Sequence, residues 1–387
     1  MNILCLDQFG ELGGAQRCLL DLLPAMAGRG WSAHLAAPGN GQLAERAARC
    51  GATVDALLCG PYSAGRKTVA DMAHFAAEAP RLAGEIRGLV RRYDADLIYV
   101  NGPRLLPAAA LGITRGGGKR PPVLFHSHSL LDGVSRRIAG RSLARLRASM
   151  VAVCRFVAGP LLPYSGDRGI RVVYNGVRGM AAAERTLAAG PEIRIGVIGR
   201  ISPEKGQAEF LQAARILYAA APQCRFAICG APLFSNPEAL RYCAALEALA
   251  EDLPVEFGGW TEDVEGMLAT LDLLVVPSTA VDATPRVILE AFAAGVAVVA
   301  FRAGGIPEIV EHGVTGFLVE QRSPKALASA IRDLLREPDR LREAAANARV
   351  KARGEFSLER YQAEMVAAIE AALGAPVAHA SAGSGEL

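Results

Sequence analysis

EIRIGVIGRISPEKGQAEFLQAARILYAAAPQCRFAICG, residues 192–230, decides the fold. EIRIGVIGR (192–200) is a short apolar run that ends in glycine and a cation. QAEFLQAARILYAAAP (207–222) carries the apolar spacing of a helix, and CRFAICG (224–230) is again a strand. Strand, helix and strand in that order make a β-α-β unit, and apolar runs without alternation predict parallel strands buried on both faces. Downstream the pattern repeats through VEFGGW, DLLVVPS, VAVVAF and GFLV, with amphipathic stretches between them. Upstream the same alternation runs through NILCL, SAHLAAP, DLIYVNG, PVLFHSH, MVAVC and IRVVYNG. The helix AQRCLLDLLPAMAGRG (15–30) follows the first of these, with Leu19, Leu22 and Leu23 on one face. Two series predict an α/β chain of two doubly wound, Rossmann-like domains facing a central cleft.

The expected boundaries are 1–180 for the first domain and 190–356 for the second. The stretch between them, near 178–191, has no strand character. A final helix over 357–373 is free to pack back on the first domain. The small, polar tail 374–387 reads as disordered.

Composition narrows the function classes. The 387 residues suit two or three domains. Their 42 basic and 39 acidic side chains leave a net charge of +3, too small a field to indicate nucleic acid. No apolar run reaches the roughly 18–20 residues that span a bilayer. MNILCLDQFG lacks the basic and long apolar regions of a signal peptide, so the expected location is cytoplasmic. The eight cysteines form no C-x-x-C pair and read as reduced, buried thiols.

In open α/β sheets ligands bind beyond the carboxyl ends of strands, so the turns there are the places to search. After the first strand, Gly10, Gly13 and Gly14 precede a helix. They suit close approach of phosphate to backbone, or an ordinary turn, since the spacing is not G-x-G-x-x-G. In the second series, Arg200 ends a strand and Lys205 precedes a helix. Together they can converge on a diphosphate, or stand as solvated cations on a loop.

In DATPRVILEAFAAG (282–295), Thr284 is expected as N-cap and Pro285 as the first helical residue. The N–H groups at 285 to 287, including those of Arg286 and Val287, would then favour an anion. Asp282 lies in the loop before this helix and Glu290 within it. Both are suited to accept hydrogen bonds from hydroxyls. His126 and His128, in PVLFHSH, share a strand face without the partners a metal needs. They can contact a substrate hydroxyl or serve as satisfied strand-end groups. Asp94 and Asp96 make a D-x-D at the start of a strand, the end away from the ligand, and are assigned to structure. SRRIAGRSLARLR (135–147) is a basic helix, either solvated or facing an anionic acceptor or membrane surface.

Taken together, GGAQ, HSHSL, VVYNGV, GRISPEKG, DLLVVPS, DATPRVILEAFAAG and GGIPEIVEHGVTGFLV resemble, in order and spacing, the retaining glycosyltransferases of family 4, which have the GT-B fold. The resemblance spans roughly residues 2 to 373. It implies that Gly13 and Gly14 bring backbone to the donor phosphate and the acceptor. Arg200 and Lys205 would neutralise the diphosphate, Glu290 would bind the ribose, and Asp282 would hold the donor sugar. His128 matches the family histidine, with His126 as its alternative. Trp260 would lie on the base side. His126 and Asn101 are the candidates toward the acceptor.

Two departures stand out. The first acid is Asp where Glu is usual, and Pro285 stands where many members have glycine. The implied reaction is metal-independent transfer of a sugar, with retention, from a UDP- or GDP-sugar to a hydroxyl of a small-molecule, glycan or lipid-linked acceptor. No cofactor is expected beyond the nucleotide-sugar as substrate, and the oligomeric state stays open. A nucleotide-sugar epimerase on this architecture and a non-catalytic partner subunit are the alternatives. The first predicts a different product; the second predicts loss of the diphosphate cations.

Overall fold

The computed structural model describes residues 1–39, 41–57, 59–60, 69–115, 118–181, 192–232 and 237–374. The expected interdomain stretch from 182 onward and the tail beyond 374 lie outside these residues. The chain divides into two compact units. One comprises Met1–Val153, Val157–Val173 and the chain from Tyr361 onward; the other comprises Cys154–Phe156 and Tyr174–Arg360.

The first unit runs β1 (Asn2–Leu6), α1 (Gly14–Gly28), β2 (Ser32–Ala37), α2 (Gln42–Arg49), β3 (Thr53–Ala56), α3 (Val69–Arg92), β4 (Leu97–Val100) and α4 (Leu106–Arg115). It continues through β5 (Val123–Ser127), α5 (Gly133–Leu146), β6 (Ser149–Ala152), the second half of the short α6 (Arg155–Ala158) and β7 (Arg171–Val172). Its seven strands pair in the order β3-β2-β1-β4-β5-β6-β7, every pair parallel. The reversal of direction falls at β1 and β4, which is where a doubly wound sheet opens for ligand. Leu19, Leu22 and Leu23 of α1 are buried, as their spacing requires.

The second unit contains β8 (Ile193–Ile198), α7 (Gln207–Ala220), β9 (Cys224–Cys229), α8 (Pro237–Ala250), β10 (Val255–Gly259), α9 (Val264–Ala269) and β11 (Leu273–Val276). Then come α10 (Arg286–Ala294), β12 (Ala297–Phe301), α11 (Ile306–Ile309), β13 (Phe317–Val319), α12 (Pro324–Leu335), α13 (Pro338–Glu355) and the start of α14 (Leu358–Leu373). The strand order is β10-β9-β8-β11-β12-β13, again parallel throughout. On β11, Leu273 and Val275 pack into the core on one face, and Leu274 and Val276 into the core on the other. This is why DLLVVPS reads as continuous rather than alternating. Each such side chain is worth ~1.5–3 kcal/mol when fully buried.

Two sequence expectations shift. IRVVYNG keeps only Arg171–Val172 as strand. From Tyr174 the backbone joins the second unit, where Val177 packs with Ile288 and Phe292 and bridges to Ser357. Residues 174–180 therefore leave the first domain. In α14, Tyr361 donates to the Cys18 carbonyl at 3.0 Å and Gln362 to that of Asp21 at 2.7 Å, which ties this helix to α1. Among the described residues no helix is long and apolar enough to cross a membrane.

Candidate functional site

In the second unit the strand-end turns carry charged side chains, each held by a partner. After β8 comes Arg200, whose Nη2 lies 2.5 Å from Glu204 Oε1. A single 3-10 turn, Pro203–Lys205, then presents Lys205. Gly206 follows with φ +74° and starts α7; a Cβ there would sit 1.9 Å from the Pro277 carbonyl oxygen, so only glycine fits. The turn is fastened to the end of β11 by Thr279, whose N–H donates to the Glu204 carbonyl and whose hydroxyl donates to the Pro203 carbonyl, both at 3.1 Å.

Lys205 thereby reaches Asp282, with Nζ 2.5 Å from Oδ2, and the Ser278 hydroxyl donates to the same oxygen at 3.0 Å. The backbone under Asp282 is packed as closely. Gly305 N–H donates to the Asp282 carbonyl at 2.9 Å. A Cβ on Gly304 would lie 2.0 Å from that carbonyl oxygen, and one on Gly305 would lie 1.9 Å from the Ala283 carbonyl oxygen.

The start of α10 differs from its sequence reading. Pro285 is the N-cap, with ψ 113°, and Arg286 the first helical residue. Proline has no N–H, so the first-turn donors are those of Arg286 and Val287. Thr284 lies one residue too early to cap. Its hydroxyl accepts from Asn175 Nδ2 at 3.0 Å, and the side chain is buried. Glu290, 8% exposed, faces Arg286 across 3.9 Å. Trp260 follows β10 and is 46% exposed, a free aromatic face rather than core.

Glu308 of α11 performs a different task. Its carboxylate accepts the N–H groups of Arg155 and Phe156, at 2.8 and 2.7 Å, and the Tyr174 hydroxyl at 2.9 Å. Burial and then this carboxylate push the Tyr174 phenol up to about 12, so it stays a donor.

In the first unit the turn after β1 and the ends of β4 and β5 share a buried polar network. Gly13 is the N-cap of α1, and Gly14 is its first residue. Gly13 N–H donates to Gln16 Oε1 at 3.1 Å, and Gln16 Nε2 donates to both oxygens of Asp7 at 2.9 and 3.1 Å. Asn101 Nδ2 donates to Asp7 Oδ2 at 2.6 Å, and Asn101 Oδ1 meets His128 Nε2 at 2.8 Å. Desolvation raises the Asp7 carboxyl to about 6, against the lowering effect of its Asn101, Phe9 and Gln16 donors.

This geometry corrects the acceptor-side assignments. His126 is fully buried, with Nδ1 2.6 Å from the Tyr99 hydroxyl. Its Nε2 is buried without a hydrogen-bond partner among the described residues. Burial and then neighbouring His128 hold its pKa well below the usual histidine range, so the ring is neutral. It packs against the half-buried His128, with centroids 3.9 Å apart and the rings tilted by 45°. Asn101 is 3% exposed, with its amide committed to Asp7, the Ala15 carbonyl and His128. Both side chains are buried, so neither is presented at the surface.

Asp94 and Asp96 are bridged by Lys119 at 2.9 Å each, and Asp96 also caps the Asn2 N–H, which fits their structural reading. Among the described residues no group of three or more His, Cys, Asp or Glu is placed to hold a metal.

Asp7, Gln16, Ser278, Asn175 and the Gly304–Gly305 pair were not singled out by their sequence. Asp7 carried one usable signal, a carboxylate directly after an apolar strand. Gln16 carried another, its place three residues after the N-cap.

Two family models match the chain: Glycosyltransferase Family 4 over residues 12–178, and Glycosyl transferases group 1 over residues 182–351. The chain belongs to glycosyltransferase family 4. Its relatives within the family include the D-inositol 3-phosphate glycosyltransferase of Thermobispora bispora. The two are 34% identical over 176 residues, 43% of this chain and 41% of that protein. The chain thus spans about half or less of the length of such relatives; for that of Segniliparus rotundus the share is 52%, at 33% identity over 58% of this chain. A longer alignment joins it to the GDP-mannose-dependent alpha-(1-6)-phosphatidylinositol monomannoside mannosyltransferase of Mycolicibacterium smegmatis, 27% identical over 67% of this chain and 72% of that one.

Among solved structures, Anabaena Alr3699/HepE in complex with UDP and glucose superimposes with a TM-score of 0.80 at 25% identity. That match covers 96% of this chain and 99% of the other. Sucrose-phosphate synthase from Thermosynechococcus elongatus, at 19% identity and a TM-score of 0.78 over 97% and 99% of the two chains, shares the fold. The two parallel sheets and these likenesses give the family 4 chain a two-domain GT-B fold.

Proposed function

We propose that this family 4 chain moves a sugar from a nucleotide-diphosphate-sugar, UDP- or GDP-linked, to a hydroxyl of a small-molecule, glycan or lipid-linked acceptor. The anomeric configuration is retained. The observation that carries the reading is the Lys205–Asp282 pair beside the amino end of α10. A diphosphate arriving there offers Lys205 a stronger partner, and Asp282 is then released to accept a sugar hydroxyl. Arg200 adds a forked donor, the first-turn N–H groups of Arg286 and Val287 add a positive helix end, and Glu290 takes the ribose. Trp260 stands on the base side. The relatives support the donor class: one is named for GDP-mannose, and Anabaena Alr3699/HepE is seen with UDP and glucose.

In the step itself the acceptor oxygen bonds to the anomeric carbon. The bond from that carbon to the diphosphate breaks, its electron pair leaving with the phosphate. The hydroxyl proton passes to the departing phosphate or to water. Arg200, Lys205 and the helix end stabilise the growing phosphate charge, so no metal is required of the site. A screen of UDP- and GDP-sugars by nucleotide release, with and without EDTA, tests this. Release with one donor class, unchanged by EDTA, is expected. No release with any donor and acceptor class would overturn the reading.

The exposed arginines of α5, Arg136, Arg137, Arg141 and Arg145, with Arg147 just after it, are proposed to touch an anionic membrane surface, from a cytoplasmic location. Co-sedimentation with anionic vesicles that is lost at high salt is the expected result, and indifference to lipid charge would sink the idea.

A further inference from the structure

The network from Gly13 to His128 has a fixed direction. Gln16 must turn its NH2 toward Asp7, because its oxygen is claimed by the Gly13 N–H at 3.1 Å. Asn101 must turn its NH2 toward Asp7 Oδ2 at 2.6 Å and the Ala15 carbonyl at 3.2 Å, because both are acceptors. The opposite orientation would set Oδ1 against two oxygens and leave two buried acceptors unpaired. Oδ1 therefore faces His128 Nε2 at 2.8 Å, and an amide oxygen only accepts.

We propose that Asp7, acting through Asn101, is a positioning residue that holds His128 as its Nε2–H tautomer, leaving Nδ1 as the ring's acceptor atom. A substrate hydroxyl that meets this ring must then donate to it. That consequence rests on the glycosyl-transfer reading, whereas the tautomer rests on the hydrogen bonds alone. His126 packs against one side of the ring at a 45° tilt, and Asp7 fixes which nitrogen carries the proton.

Asp7→Asn should reverse the assignment. The Phe9 N–H donates to Asp7 Oδ1 at 2.9 Å, so an asparagine keeps its oxygen there. Its NH2 then falls opposite the Asn101 NH2. Asn101 flips, giving up its longer 3.2 Å bond to the Ala15 carbonyl to accept from the new NH2; its own NH2 turns to His128, and the ring proton moves to Nδ1.

The test is a long-range nitrogen–proton correlation spectrum of the full chain, histidine-labelled, at about pH 8, above the ordinary histidine range. The expected wild-type pattern has a protonated Nε2 and an unprotonated Nδ1 for His128, and the two exchange in Asp7→Asn. Sugar transfer by that variant should drop by about tenfold or more, the scale of one hydrogen bond, while nucleoside diphosphate binding stays within about twofold. A second variant, Asn101→Leu, removes the middle link and should release the ring to a mixture of both tautomers. An Nδ1–H wild type would overturn the proposal, and so would a pattern unchanged in both variants. A chain that transfers no sugar yet shows the Nε2–H pattern would refute the functional reading and leave this assignment standing.

Discussion

Lys205 and Asp282 hold one another across 77 positions of chain, and Asp7 holds Asn101 across 94. A side chain's residue type and its place at the end of an apolar run are written locally. That is why Arg200, Lys205, Asp282 and Glu290 stand out in the sequence. Their partners are set by tertiary approach, so neither the Lys205–Asp282 pairing nor the burial of His126 could be read there. Asp7 lies deepest. Its carboxyl rises from an ordinary 3.8 to about 6 because burial outweighs its donors. For an acid with a raised folded pKa, the folded state holds more protons than the unfolded between those values. Stability contributed by Asp7 is therefore present at low pH and lost as pH climbs from about 4 through about 6. Two pKa units correspond to ~3 kcal/mol. The unfolding free energy of Asp7→Asn minus that of wild type should therefore grow more positive by up to this amount between pH 4 and 7. Denaturant titrations across that range measure it, and a difference flat with pH would contradict the buried-carboxylate account.

Strands were the most legible elements, since parallel strands covered on both faces appear as unbroken apolar runs. Helices were less so. The long α3 carries Pro80 in its interior. The starts of α12 and α13 are marked, by the Ser323 N-cap with Pro324 and by Pro338, yet only Arg336 and Glu337 separate the two helices. The start of α10 slipped by one residue because Pro285 takes ψ 113° and caps from outside the helix. What holds the loop before α10 is a separate turn, the Gly304–Gly305 pair pressed against the carbonyls of Asp282 and Ala283. Gly305→Ala inserts a methyl against backbone and against Cys154 Sγ, 2.7 Å away. We expect ~1–3 kcal/mol of destabilisation from overpacking, with weakened donor turnover as the Asp282 loop shifts. Thermal melts and nucleotide release measure both, and a variant that melts and turns over like wild type would refute the packing argument.

At the scale of the whole molecule, the repeated strand-helix alternation was enough to announce two parallel sheets. The division between the units was harder to place, because it is not a single cut. Cys154–Phe156 belong to the second unit through the Glu308 carboxylate, and residues from Tyr361 return to the first through Cys18 and Asp21. The apolar face of α14, with Tyr361, Met365 and Ile369 buried, is periodic in the sequence, but which unit it packs on is set by tertiary approach.

The central claim is that the second unit's strand-end cations receive a nucleoside diphosphate. Calorimetric titration of UDP and GDP into wild type, Arg200→Ala and Lys205→Ala tests it directly. One nucleotide should bind the wild type, and each variant should weaken that binding by about tenfold or more, as charge-assisted contacts to phosphate require. Equal binding by all three proteins, or none by the wild type, would contradict the account.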